Sequence, residues 1–104
     1  MNKLYYNNFE TNIEGEEWKI HPIYMEYEGS NLGRIRSLKT KKILKQRISS
    51  NLRLLVHLLL NGDDKSVSSS RFILSCFSGE EKINLQCDHI NSDYLDNRIK
   101  NLRW

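Results

Sequence analysis

Cysteine is scarce in this chain: Cys76 and Cys87 are the only two, and they do not form a CxxC pair. That count excludes a disulfide-built scaffold, and with three scattered histidines it excludes a structural zinc site of four good ligands. Both thiols read as small buried hydrophobes of a reducing compartment. Proline occurs once, at Pro22, where it blocks a helix from running through. No apolar run is long enough to cross a membrane, and Met1–Tyr6 lacks the apolar core of a signal peptide. The expectation is a cytoplasmic chain with no membrane partner.

Acid is missing from the middle of the sequence. Residues 30–62 hold Arg34, Arg36, Lys39, Lys41, Lys42, Lys45, Arg47 and Arg53 and not one carboxylate. Residues 1–29 are net acidic and residues 63–104 nearly balanced, so the overall charge of +3 hides one basic block. Such a block suits a surface laid against a polyanion, although a solvated basic hairpin has the same composition. With 104 residues, 38% of them hydrophobic, the chain suits one domain or two small modules with a small core.

Residues 1–15 read as a leader, frayed or in a short helix. Trp18, Ile20 and Ile23 look like anchors of a small sheet. Gly29–Gly33 is a turn by composition. Arg34–Leu38 alternates polar and apolar residues, and after a turn at Lys39–Lys42 the segment Ile43–Ile48 is expected to pair back. The resulting hairpin would present Arg34, Arg36, Lys45 and Arg47 on one side. Asn51–Leu60 is the most apolar run; its leucines favour helix by propensity, Asn61-Gly62 after it is a hairpin signal, and length does not decide between them. His57 and His21 both read as satisfied core or edge histidines. Ile83–Cys87 reads as the first strand of a terminal hairpin, and Leu102-Arg103-Trp104 as its return.

Asp88-His89 stands where that first strand opens into a loop rich in asparagine. The carboxylate can hold a hard divalent cation, and the imidazole can accept a proton near neutral pH. The asparagines are loop formers that bond their own backbone.

Asp88-His89, Asn97 and Asn101-Leu102-Arg103-Trp104 together resemble the "DH…NN…NLxW" core of the HNH endonucleases, in particular the intron-encoded homing endonucleases of phages and bacteria. The resemblance implies a ββα-metal motif acting on double-stranded DNA with Mg²⁺ or Mn²⁺. Asp88 would be a metal ligand and His89 the general base, with Asn97 or Asn101 tying the loop across the hairpin. A second resemblance covers Glu16–Lys19 ("EEWK"), Tyr27–Leu38 ("YEGSNLGRIRSL") and Lys42–Arg47 ("KILKQR"), which look like the N-terminal module commonly fused to these nucleases. Arg34, Arg36, Lys45 and Arg47 would then face DNA. In relatives the run Asn51–Leu60 is a strand, and Arg71–Phe77 resembles their short helix. The chain departs from the family at Gly29, which replaces a valine, at Ser70, which replaces a histidine, and at Asn91-Ser92-Asp93, which replaces Asp-Gly-Asn. The family's final helix and second metal ligand would lie beyond Trp104.

The expected fold is therefore small and α+β: a leader at 1–15, an antiparallel β module at 16–50, and an HNH-like remnant lacking its last helix at 51–104. Three functions follow from it. One is a metal-dependent DNA-nicking enzyme, weakened by the missing ligand, with Asp93 or Asp96 as a substitute. Another is a phage-encoded DNA-binding derivative that no longer cuts. The third is a scaffold that binds and inhibits a host or rival protein.

Overall fold

The computed structural model describes residues 13–104. The leader expectation falls almost wholly on residues 1–12, outside the described part. A first antiparallel sheet contains β1 (Trp18–Ile20), β2 (Tyr27–Ser30) and β3 (Ile35–Ser37) in that order. A second contains β4 (Gln46–Ile48), β5 (Leu54–Leu60) and β6 (Asp63–Ser68). Helix α1 (Ser69–Ser78) follows β6 directly, and a two-residue pair, β7 (Asp88–His89) with β8 (Leu102–Arg103), closes the fold. The architecture is small and α+β, as the sequence suggests. None of the described helices is long and apolar enough to cross a membrane.

β5 alternates: Leu54, Val56 and Leu58 are buried, while His57 and Leu59 face outward. This period of two marks a strand with one wet face and decides against a helix. Asn61 and Gly62 both have positive φ, the geometry of a tight hairpin turn, and they bring β6 back onto β5. Ser68 caps α1 by accepting from the Arg71 amide, and Gly79 ends the helix in the left-handed region. Phe72, Ile73 and Cys76 turn inward and meet Tyr27 and Ile35 of the first sheet and Val56 of the second. One core therefore crosses residue 50, and β4, assigned from the sequence to the N-terminal module, pairs with β5.

Several local expectations are corrected. Ile20 and Ile23 are half-exposed and anchor no core. β2 runs through Gly29 and Ser30, and the turn is confined to Asn31–Gly33. Gly29 has a packing role: a Cβ there would stand 2.8 Å from Ile73 Cδ1 and 3.2 Å from Cys76 Sγ. Ile43–Ile48 does not pair back on Arg34–Leu38 beyond one bridge, Arg36 with Ile43. The chain instead turns at Ser49–Leu52, where the Ser49 amide donates to the Arg53 carbonyl and Leu52 takes a φ of 61°, committing residues 46–48 to β5. Ile83–Cys87 alternates like a strand but is not one. Ile83 and Leu85 are exposed, and the Arg71 guanidinium bonds the carbonyls of Lys82 and Leu85 that a ladder would have used.

Candidate functional site

The β7–β8 ladder holds only two residue pairs, Asp88 with Arg103 and His89 with Leu102. So short a ladder needs support from the loop between its strands. Asn101 provides it: its side-chain oxygen accepts from the Asn91 amide at 3.0 Å and its Nδ2 donates to the Asp96 carbonyl at 2.9 Å. Asn101 is thus the asparagine that ties the loop, and Asn97 has a different partner. Its Oδ1 lies 2.7 Å from His89 Nε2.

That contact fixes the imidazole. An amide oxygen can only accept, so Nε2 carries the proton and Nδ1 keeps a lone pair. His89 is buried, and its Nδ1 has no hydrogen-bond partner among the described residues. Tyr94 packs against the ring edge-on, centroid to centroid 5.6 Å. His89 is thus held through one ring nitrogen, while the other is buried and unpaired among the described residues.

The other half of the site is less complete. Asp88 is exposed, and Arg103 Nε donates to its Oδ2 at 2.9 Å. Asp96 bonds Arg98 through both oxygens, which holds its carboxyl at about 2, chiefly through that hydrogen bond. Asp93 Oδ1 accepts from the Leu95 amide. Among the described residues no three His, Cys, Asp or Glu side chains converge as metal ligands. Mg²⁺ takes oxygen ligands in strict geometry, and here one carboxylate, already ion-paired, is on offer. The described side chains do not by themselves make up a three-ligand divalent-cation site, and Asp96, the expected substitute with Asp93, is engaged by Arg98.

The four basic residues expected to share one hairpin side are split. Arg34 is buried and bonds Glu16 through Nε at 2.8 Å and through Nη2. Burial raises the Glu16 carboxyl, but hydrogen bonds from Arg34 and Ser30 and the charges of Arg34 and Arg36 outweigh it, and its pKa ends below the ordinary value. Arg36 pairs with Glu28 and lies over the Trp18 ring, 4.1 Å from its centroid. These two arginines hold the first sheet together and are not presented to a ligand. Lys45 and Arg47 are exposed, and Arg47 Nη2 reaches Ser66 Oγ at 2.8 Å.

Sequence reasoning missed two residues at the site. Arg53 lies over the face of Tyr94, its Cζ 3.8 Å from the ring centroid, so one aromatic ring touches both Arg53 and His89. The only hint was an arginine opening the most apolar run and a tyrosine in a polar loop; nothing in their spacing joins them. His21 and His57 are not ligands either, the first buried in the core and the second exposed beside Asp64.

The NUMOD4 motif, found with HNH endonucleases, matches residues 16–56. No curated protein matches the sequence. Among solved structures, one described as "DNA binding and cleavage by the HNH homing endonuclease I-HmuI" is similar at a TM-score of 0.75 and 30% identity. The likeness covers 85% of this chain and 51% of that one, so the chain spans about half the length of the protein it matches.

Proposed function

This chain is related to the HNH homing endonucleases, and from that premise we propose that it binds double-stranded DNA and retains the base half of a phosphodiester-cleaving site. The observation that carries the reading is His89, held at Nε2 by Asn97 with Nδ1 buried and unpaired among the described residues. Were a bound strand to bring a water to Nδ1, that nitrogen would take its proton; the hydroxide would form a new P–O bond as one P–O ester bond breaks, and the leaving alkoxide would take a proton from solvent. Phosphoryl transfer also needs positive charge on the phosphate oxygens, which in this lineage a divalent ion such as Mg²⁺ or Mn²⁺ would supply. Asp88 is the ligand this chain offers such an ion, and Arg103 already occupies it. Cleavage should accordingly be slow and binding the stronger activity. Lys45 and Arg47 supply exposed positive charge for the backbone.

A second reading, DNA binding without cleavage, is favoured by the Asp88–Arg103 pair itself. One experiment separates the two: supercoiled plasmid with Mg²⁺ or Mn²⁺, wild type beside His89→Ala, and a gel shift on the same DNA. We expect both proteins to shift DNA and wild type alone to nick it slowly. A shift with no nicking selects the second reading. No shift in any condition removes DNA as the partner.

A further inference from the structure

Seven arginines are present, and five have their guanidinium on a carboxylate: Arg34, Arg36, Arg71, Arg98 and Arg103. Arg53 and Arg47 are the two with no carboxylate paired to them among the described residues. Arg47 donates to a serine hydroxyl. Arg53 lies over the Tyr94 ring, its Cζ 3.8 Å from the centroid, at the edge of a cleft of about 500 Å³.

The cleft lies between the Ser49–Arg53 turn and the segment that leads into β7. Ser49, Asn51, Arg53, Ser70, Gln86 and Cys87 line it, and Arg71 closes one wall. Among the described residues no carboxylate lines it. Arg71 has its charge met by Glu81 and four of its five N–H donors used on Glu81 and on the carbonyls of Lys82 and Leu85. Asp88, next in sequence after Cys87, has its charge opposed by Arg103. The uncompensated charge of the cleft is therefore Arg53.

Stacking determines how that charge is presented. A guanidinium lying on an aromatic face exposes its N–H donors at the rim, in the plane that matches two oxygens of a phosphate. Tyr94 fixes the plane and so removes rotamer freedom that a free arginine would lose on binding. The neighbouring hydroxyls and amides add neutral hydrogen-bonding groups suited to phosphate and sugar oxygens. The opening also continues onto the outer face of the second sheet: Leu55 and Ser68 belong to the lining and pair with each other across β5 and β6, and Arg47 is the register partner of Leu55.

We propose that this cleft is a binding subsite for a backbone phosphate of DNA, with Arg53 as its ligand and Tyr94 as the platform that orients Arg53. The inference rests on the DNA-binding reading above and adds a place to it. A strand passing Arg47 and seated at Arg53 has its next phosphates beside His89, because Tyr94 contacts both side chains.

The test is fluorescence anisotropy of a labelled duplex across a salt series, without divalent metal, on wild type, Arg53→Gln, Arg53→Lys, Tyr94→Phe and Tyr94→Leu. Lys65→Gln, toward the other end of the β5–β6 hairpin, is the control. Loss of one phosphate contact should lower the salt slope by about 0.9. A charged hydrogen bond lost from the cleft should weaken binding about tenfold. Arg53→Lys should keep the slope and lose part of the affinity, since a point charge neither forks nor stacks as well. Tyr94→Phe should match wild type, and Tyr94→Leu should move toward Arg53→Gln. Thermal melts accompany each variant; were Arg53→Gln to unfold, Arg53→Lys and the two Tyr94 variants carry the comparison. Wild-type binding with an unchanged slope and affinity in Arg53→Gln overturns the subsite alone. No wild-type binding overturns the DNA reading and the subsite with it.

Discussion

His21 is a side chain whose charge folding decides. Its Nδ1 accepts from the amides of Ile23 and Tyr24, each at 3.0 Å, and its ring stacks on Phe72 with centroids 4.5 Å apart. Burial drives its pKa down to about 4, and Glu81, 3.8 Å from Nε2, offsets only part of that. The unfolded chain, with an ordinary imidazole near 6.5, therefore takes up the proton first as pH falls. Stability should be full above about pH 6.5, decline on the way to about pH 4 and level off below, a loss on the order of 3 kcal/mol. Urea unfolding at several pH values checks this. His21→Asn keeps an acceptor for the two amides; it should start less stable at neutral pH and show a flatter profile between about pH 6.5 and 5. From the sequence His21 was legible as a core histidine, but its acidic neighbour was not. Glu81 comes from the end of α1, and no local spacing announces that meeting.

At the scale of elements, Gly29 governs how closely β2 lies on α1. The space where a side chain would be is filled by Ile73 and Cys76, whose thiol is pushed up to about 12, chiefly by burial. Gly29→Val, which restores the residue expected by resemblance, should overpack this contact and cost about 1–3 kcal/mol. Adding Ile73→Val, which removes the atom nearest the new side chain, should recover part of it. Two-state denaturation of the single and double variants measures both effects, and strict additivity would refute the coupling. The Asn61-Gly62 turn was readable from its own chemistry, whereas β5 and α1 were expected from the family resemblance, since a leucine-rich run reads as helix or strand until its burial is known. Ile83–Cys87 misled because its period is right and its partner strand does not exist. Arg34 and Arg36 misled for a related reason: a basic residue in an alternating segment looks exposed until the chain supplies a Glu16 or Glu28 to bury it.

For the whole molecule, the decisive fact is that two sheets share one helix. Tyr27 and Ile35 of the first sheet and Val56 and Leu58 of the second pack with Phe72, Ile73 and Cys76 of α1 in one cluster. We expect a single unfolding transition over residues 13–104, identical by tryptophan fluorescence and far-ultraviolet circular dichroism. Residues 13–50 alone, deprived of α1 and β5, should show no cooperative melt. Two separable transitions would make 16–50 and 51–104 the independent modules that the sequence suggests. The site itself was half legible. Asp88 and His89 stand out as a pair in one line of text. The loop tie at Asn101, the lock at Asn97 and the cleft at Arg53 depend on contacts across the fold.

Tyr94 touches a side chain suited to hold a substrate and another suited to act on it. Two sites joined through one ring are linked thermodynamically, and linkage is reciprocal. Any occupant of the cleft that steadies the tyrosine also steadies the imidazole, so filling the subsite prepares the base. A change at His89 that loosens the ring must in turn loosen the occupant by the same factor. In this fold recognition and reactivity would therefore vary together, through the plane of a single phenol.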